Sequence, residues 1–242
     1  MFESWFFDLY GTLVDIRTDE GKRSLWHGTA AFYSLCGAAY VPAELKARYL
    51  ALCAEETAAL AARYPALGEE GVEIELRSVF RRLFEEKGAA VSDERLADTA
   101  RLFRALSYRR APRPMKGARR TLDELRRRGA KLYLLSNAQS CFTVPELQLL
   151  GLADAFDGIF LSSDFGCRKP SPAFFRAALE RAGVLPEEAL MVGNDPLADI
   201  RGAETVGMTS RYIHSPQSPP RGAPLPACCR EIASLEELLA EG

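Results

Sequence analysis

Residues 4–12 read SWFFDLYGT. Trp5, Phe6 and Phe7 make an unbroken apolar run, the pattern of a short strand buried on both faces. An acid, Asp8, ends the run, and Gly11 and Thr12 follow. In open parallel sheets ligands collect at the carboxyl ends of strands. A carboxylate standing where a buried strand stops therefore directs attention to the ends of the other apolar runs. Ser4 to Phe7 is taken as the first strand.

Outward from this stretch the chain changes character twice. From about Thr18 to Arg110 it reads as four or five helices with no strand between them. Thr18, Asp19 and Glu20 resemble a helix start, since a hydroxyl and acids suit the helix dipole. In EIELRSVFRRLFEEKG, residues Leu76, Val79, Phe80 and Leu83 share one helical face, and Lys87-Gly88 is a stop. Ser92-Asp93-Glu94 opens a further helix with Leu96, Ala100 and Phe103 on one side. After Pro112 and Pro114 the pattern alternates. The helix ARRTLDELRRRG is followed by the run KLYLLS, helix near Pro145 to Leu150 by GIFL, helix from Ser171 to Ala182 by ALMVG, and helix near Leu197 to Val206 by SRYIH. A last helix is expected at Ser234 to Leu239. Strands alternating with helices predict a Rossmann-like parallel sheet with helices on both faces. The expected organisation is an α/β core domain from residues 1–16 and 112–242, with an all-α domain, 17–111, inserted after the first strand.

Each apolar run of the core ends in polar residues. The first ends at Asp8 and the second at Ser136-Asn137. The third leads through SSDFGC to Arg168-Lys169, and the fourth ends at Gly193-Asn194-Asp195, with Asp199 four residues on. Alone, each has an ordinary reading: a helix cap for Asp8, Asp195 or Asp199, a turn for Ser136-Asn137, a solvated loop lysine for Lys169. Four such ends in order deliver a carboxylate, a hydroxyl, an ammonium and a carboxylate pair to one rim.

In these four places the sequence resembles the haloacid dehalogenase superfamily of hydrolases. The motifs are Asp8-Leu9-Tyr10-Gly11-Thr12, the Ser of LLSNA, the lysine of CRKPSPAFF, and the acid pair of GNDPLADIRGAETVGM. The resemblance implies that the helical insertion is a cap over the site and that Asp8 is a nucleophile forming a covalent ester that water cleaves. It implies a Mg²⁺ ion on Asp8, the Tyr10 carbonyl and Asp195, with Asp199 in close support. Lys169 would offset the repulsion between two anions. Ser136, with Asn137 beside it, and the backbone N–H groups near Leu9 and Tyr10 would hold the oxygens of the transferring group.

Tyr10 departs from the phosphatase pattern of the superfamily, which places a second aspartate there as general acid and base. With an ordinary pKa near ~10 a tyrosine is a poor base at neutral pH. Dehalogenases of the superfamily carry D-x-Y-G-T, and halide leaves unprotonated. The fourth motif argues the other way. Metal-free dehalogenases place Ser and Asn where this chain keeps Asp195, and they favour a tyrosine six residues after the motif lysine, where this chain has Phe175. Three acids without a cation would repel one another. The sequence therefore favours a Mg²⁺-dependent phosphatase of a small phosphorylated metabolite. The alternatives are a 2-haloacid dehalogenase-like hydrolase using Asp8 without metal, and a weakly active member that binds a phosphorylated ligand.

Bulk properties narrow the partners. Apolar residues make up 48% of 242, enough for a proper core, and the formal net charge of −2 gives no pull toward nucleic acid or membrane. The N-terminus lacks the basic start and small-residue cleavage site of a signal peptide, so a cytoplasmic protein is expected. The six cysteines form no C-x-x-C pair and read as reduced thiols; His27 and His214 are too few for a histidine metal site. Trp26, Phe32 and Tyr33 are assigned to packing within the insertion, RRR at 126–128 to a solvated helix face, Cys228-Cys229 to a strand or its approach, and SPQSPPRGAPLPA to a surface loop.

Overall fold

The computed structural model describes residues 2–220, 222 and 224–241. Met1, Arg221, Ala223 and Gly242 lie outside these, and with them the outermost ends of the expected core domain and two positions of the Pro-rich segment. In chain order the elements are β1 (Ser4–Phe7), β2 (Val14–Thr18), α1 (Arg23–Leu35), α2 (Pro42–Arg63), α3 (Gly68–Gly71), α4 (Leu76–Glu85), α5 (Asp93–Ser107), β3 (Tyr108–Pro114), α6 (Ala118–Arg127), β4 (Lys131–Ser136), α7 (Ser140–Leu149), β5 (Gly158–Leu161), α8 (Ser162–Phe165), α9 (Pro172–Ala182), β6 (Ala189–Gly193), α10 (Gly202–Thr205), β7 (Thr209–Ile213) and β8 (Cys229–Ile232).

Six strands form a parallel sheet in the order β5-β4-β1-β6-β7-β8. This is the predicted Rossmann-like arrangement, and β1 sits inside it. Alternate residues explain why its strands are apolar throughout. Trp5 and Phe7 join Leu132, Leu134, Leu190 and Val192 under Leu122 and Leu125 of α6. Phe6 points the other way, with Tyr133, Leu135 and Met191, under Phe174, Phe175 and Leu179 of α9. Each such side chain, fully buried, contributes about 1.5–3 kcal/mol.

The helices between β2 and β3 enclose a separate apolar cluster. Leu25, Trp26 and Tyr33 of α1, Tyr49 of α2, Val79, Phe80 and Leu83 of α4, and Leu96 and Phe103 of α5 meet there, joined by Phe142 of α7. Trp26 and Tyr33 are buried in that cluster and Phe32 packs against it. Ser92 caps α5, its Oγ accepting from the Arg95 N–H at 3.2 Å. Among the described residues no helix is long and apolar enough to cross a membrane.

Several local expectations are corrected. The first insertion helix begins at Arg23, not Thr18. Asp19 instead folds a turn, its Oδ1 accepting from the Gly21 N–H at 2.7 Å. Val14–Thr18 is a strand paired antiparallel with Tyr108–Pro114, so the stretch to Arg110 is not strand-free. The ribbon carries Pro112 and Pro114 because its second strand is an edge, where a missing N–H costs little. Asp15 bonds Arg110 and Arg113 across it. The helix near Leu197 is a π-type turn, Pro196–Arg201, continued by α10, and the last helix, Leu235–Ala240, is 3₁₀. α7 starts at Ser140, before the expected Pro145, which lies inside it.

Candidate active site

Sheet register brings the polar strand ends together. Phe7 pairs with Leu134 on one side and Val192 on the other. The next residues along these strands, Asp8, Ser136 and the Gly193-Asn194-Asp195 turn, therefore emerge at one edge. Gly11 follows with φ +89°, a left-handed conformation natural to glycine, and any Cβ there would strike the Asn194 amide. This close approach lets the Thr12 hydroxyl lie 3.1 Å from both Asp8 Oδ2 and Asn194 Oδ1. At Gly193 a Cβ would collide with the Asp199 carboxylate, so glycine admits that acid to the strand end.

Lys169 is the centre of the cluster. It is 3% exposed, and its Nζ donates to Asp8 Oδ1 at 2.8 Å, Asp199 Oδ1 at 2.6 Å and the Leu135 carbonyl at 2.7 Å. Burial works against its charge, but Asp199 and Asp8 outweigh burial and hold the ammonium above the usual lysine range. Asp199, 1% exposed, is pushed up to about 7 by burial, with repulsion from Asp8 adding and the attraction of Lys169 opposing. Its Oδ2 accepts from the Asp195 N–H at 2.9 Å. Ser136 Oγ stands 3.3 Å from Asp8 Oδ1. Asp195 uses its Oδ1 to cap the following turn, accepting from the Leu197 and Ala198 N–H groups at 2.8 and 2.9 Å. Asn137 grips the Lys169 main chain at both ends of its amide, donating to the carbonyl at 2.9 Å and accepting from the N–H at 2.7 Å. Leu9 buries its side chain in the core, so only its main chain remains for a ligand.

The Tyr10 phenol is held elsewhere. It donates to Glu146 Oε2 at 2.5 Å and lies 2.9 Å from Thr143 Oγ1, both on α7. Glu146 Oε1 also accepts from Arg104 Nε and from the Tyr108 hydroxyl, each at 2.6 Å. The Arg104 guanidinium lies over the rings of Tyr10, Tyr108 and Phe142 at 5.5, 5.7 and 5.2 Å. Burial, and then the Glu146 charge, drive the Tyr10 hydroxyl far above the ordinary tyrosine range.

A family model described as haloacid dehalogenase-like hydrolase matches residues 5–207. The chain belongs to that hydrolase family. It is 40% identical over 140 residues to a phosphoserine phosphatase of Thermus thermophilus, covering 56% of this chain and 53% of that protein. It is 36% identical over 101 residues to a glyceraldehyde 3-phosphate phosphatase of Pyrococcus furiosus, covering 42% of each. The chain thus spans about half the length of these relatives. Among solved structures, a 2-haloacid dehalogenase of Pseudomonas syringae aligns with a TM-score of 0.64 at 25% identity, covering 99% of this chain and 97% of that one.

In this hydrolase Asp8, Ser136, Lys169, Asp195 and Asp199 border one cavity of about 170 Å³, with Tyr10, Asn137, Asn194 and Gln217 also in its wall. The sequence reading assigned no role to Thr12, Asn194, Glu146 or Gln217. Thr12 and Asn194 stood inside quoted motifs, so their position was their signal. Glu146, the one acid in the stretch TVPELQLL, carried a weak one. Gln217 carried none, because its Pro-rich surroundings read as plain surface loop. The donor set around the cavity is all hard oxygen and suits Mg²⁺. Among the described residues no three His, Cys, Asp or Glu side chains are grouped as a metal centre. Asp199, with one oxygen on Lys169 and the other on a backbone N–H, suits a supporting position.

Proposed function

We propose that this hydrolase is a Mg²⁺-dependent phosphatase of a small phosphorylated metabolite, with Asp8 as its nucleophile. The observation that carries the reading is the charge count. Asp8, Asp195 and Asp199 face a cavity in which Lys169 is the single cation among the described lining residues. Such a site has a deficit of positive charge that one divalent ion removes. Asp8, the Tyr10 carbonyl and Asp195 would hold Mg²⁺, with Asp199 behind them; the ion would neutralise the phosphate as charge develops.

The protein's own groups would do the rest. Lys169 and Ser136 hold one oxygen of Asp8, and Thr12 the other, which fixes the carboxylate plane before attack. Asp8 attacks phosphorus, the bond from phosphorus to the alcohol oxygen breaks, and an aspartyl phosphate forms. Water then attacks the phosphorus of that acyl phosphate, releasing inorganic phosphate and restoring the carboxylate. Lys169, Ser136 and the main-chain N–H groups near Leu9 and Tyr10 stabilise the equatorial oxygens, and Asn137 positions Lys169. The alcohol oxygen leaves as an oxyanion and takes its proton from solvent water, since Tyr10, locked to Glu146, does not give one. We infer further that residues 17–111 form a cap domain on a core made of 1–16 and 112–242. The names of the two phosphatase relatives support phosphate ester chemistry.

Tyr10 favours one second reading, a metal-free dehalogenase. Both are tested by incubating the purified protein, with and without Mg²⁺, with a panel of phosphate esters and with 2-haloacids, while measuring phosphate and halide. Phosphate release that requires Mg²⁺ and disappears in Asp8→Asn is the expected result. Halide release without metal would overturn it.

A further inference from the structure

Next to the catalytic cavity lies a second one of about 350 Å³, and Tyr10, Asn137 and Gln217 stand in the walls of both. On the phosphatase reading, which this inference rests on, the phosphate meets Asp8 and the alcohol extends into the neighbouring cavity. The chemistry of that cavity then selects the alcohol. Its volume is at the small end of ligand pockets, roughly 300–1,000 Å³, which suits a compact leaving group.

The charged side chains lining it among the described residues are Glu20, Glu73 and Arg104. The Arg104 charge is already matched, since its Nε donates to the buried Glu146 carboxylate at 2.6 Å. Glu73 is fixed from behind: Oε1 accepts from Gln139 Nε2 at 2.9 Å and Oε2 from Ser162 Oγ at 3.2 Å. Its N–H also pairs with the Gly166 carbonyl at 3.1 Å, in the loop that leads to Lys169. Arg168 favours the Glu73 charge from outside the lining, but its Nε is spent on the Glu70 carbonyl at 2.7 Å. Burial raises the half-buried Glu73 carboxyl above its ordinary range, and Arg168 only moderates this; Glu20 is exposed and lines the same cavity. Two carboxylates with no free cation beside them thus line the space next to the phosphate site. An alcohol bearing a further carboxylate or phosphate would be repelled there, whereas a protonated amine would receive charge-assisted hydrogen bonds.

We propose that the alcohol this hydrolase releases carries a protonated amine received by Glu20 and Glu73, so that its substrates are small amino-alcohol phosphates. Gln217, at the junction, is held by its Nε2 on Asp15 Oδ1 at 2.7 Å. This fixes the wall between the phosphate and amine positions.

The test compares kcat/KM for O-phosphoethanolamine, glycerol 1-phosphate and phosphoglycolate in the parent, Glu20→Gln and Glu73→Gln, with Mg²⁺ present. The parent should favour the amine over the neutral ester by roughly tenfold or more, mainly through KM, with the acidic ester last. Either substitution should shrink the amine-to-neutral ratio about threefold or more. A ratio is unaffected by any general loss of activity, and two separate variants guard against one misfolding. Turnover of all three esters without an amine preference overturns this inference and leaves the phosphatase reading intact. So does a preference that both Gln variants keep. No turnover of any phosphate ester by the parent overturns both.

Discussion

Two buried ion clusters lie within a few residues of each other and are built on opposite principles. Around Lys169, one ammonium serves the carboxylates of Asp8 and Asp199, with Asp195 close by. Around Glu146, one carboxylate meets one guanidinium, and the phenols of Tyr10 and Tyr108 supply its remaining hydrogen bonds. The second cluster is balanced and saturated, as a structural pair must be to offset its desolvation. The first carries surplus negative charge and borders a cavity, an arrangement that lowers stability unless something binds. Asp8 and Tyr10 stand two residues apart in one motif, yet their side chains belong to different clusters. Charge balance, more than burial, separates the cluster with the proposed nucleophile from the cluster that holds Tyr10.

The largest effect should come from the unbalanced cluster. Asp8→Asn removes the proposed nucleophile while keeping a polar side chain beside Lys169 and Thr12. Phosphate release should fall on the order of 10⁴-fold or more, with a urea midpoint close to the parent's. Retained turnover, measured on esters the parent cleaves, would place the nucleophile elsewhere and erase the distinction drawn between the clusters.

Next in size is a stability difference between two carboxamide substitutions. Glu146→Gln leaves the half-buried Arg104 guanidinium unpaired and should cost about 3 kcal/mol. Asp199→Asn removes one of the charges competing for Lys169 and should cost no more than about 1 kcal/mol, although it should lower phosphate release. Urea denaturation of both variants without divalent metal checks the contrast. Equal losses would mean the two clusters do the same structural job.

The unbalanced cluster was legible in the sequence because each member ends its own strand. A parallel sheet carries strand ends to one edge whatever the intervening loops do, so Asp8, Ser136 and Asp195 could be placed together without coordinates. Lys169 and Asp199 followed from the motifs around them. The balanced cluster was not legible. Tyr10 and Glu146 are separated by 136 positions, and Arg104 comes from a helix whose docking no periodicity specifies. The β2–β3 ribbon was missed for the same reason. Its strands are short and its second contains two prolines, so only the pairing of Asp15 with Arg110 and Arg113 across the chain makes it recognisable. The buried faces of α4 and α5 were predicted correctly, since a helix writes its core face locally.

A smaller effect concerns pH. The Asp199 carboxyl, pushed up to about 7 in the folded chain, binds a proton that the unfolded chain has released above about pH 4. Its contribution to stability is therefore full below about pH 4 and is lost as pH rises through about 7. Relative to Asp199→Asn, the metal-free parent should be more stable at pH 5 than at pH 8. Paired urea titrations at the two pH values check the sign. An unchanged difference would mean that Lys169 satisfies both carboxylates and that the cluster has no surplus charge.

The smallest effect tests the boundary between the clusters at Tyr10. Tyr10→Phe removes one of three donors to Glu146 and leaves the backbone carbonyl in place. It should cost about 1 kcal/mol in urea. The informative quantity is the ratio of kcat/KM on an aryl phosphate to that on an alkyl phosphate. An aryl oxide departs with little protonation, whereas an alkoxide needs a general acid, whose loss typically costs ~10²–10⁴-fold. With its usual acid position filled by a phenol tied to Glu146, the parent should already show a wide gap in favour of aryl esters. Tyr10→Phe should leave that gap unchanged, because the proton it removes was never delivered to the leaving group. If the substitution instead depresses alkyl turnover selectively, the phenol leaves Glu146 during catalysis and acts as the acid. Tyr10→Asp is a harsher probe. It could restore an acid, but it also sets a second carboxylate near Glu146, where the Arg104 charge is already matched, and should lose more stability than Tyr10→Phe. A Tyr10→Asp variant that narrowed the aryl-to-alkyl gap despite that loss would show the position to be in reach of the leaving group. The balanced cluster would then be what withholds an acid from alkyl esters, the amino-alcohol phosphates included.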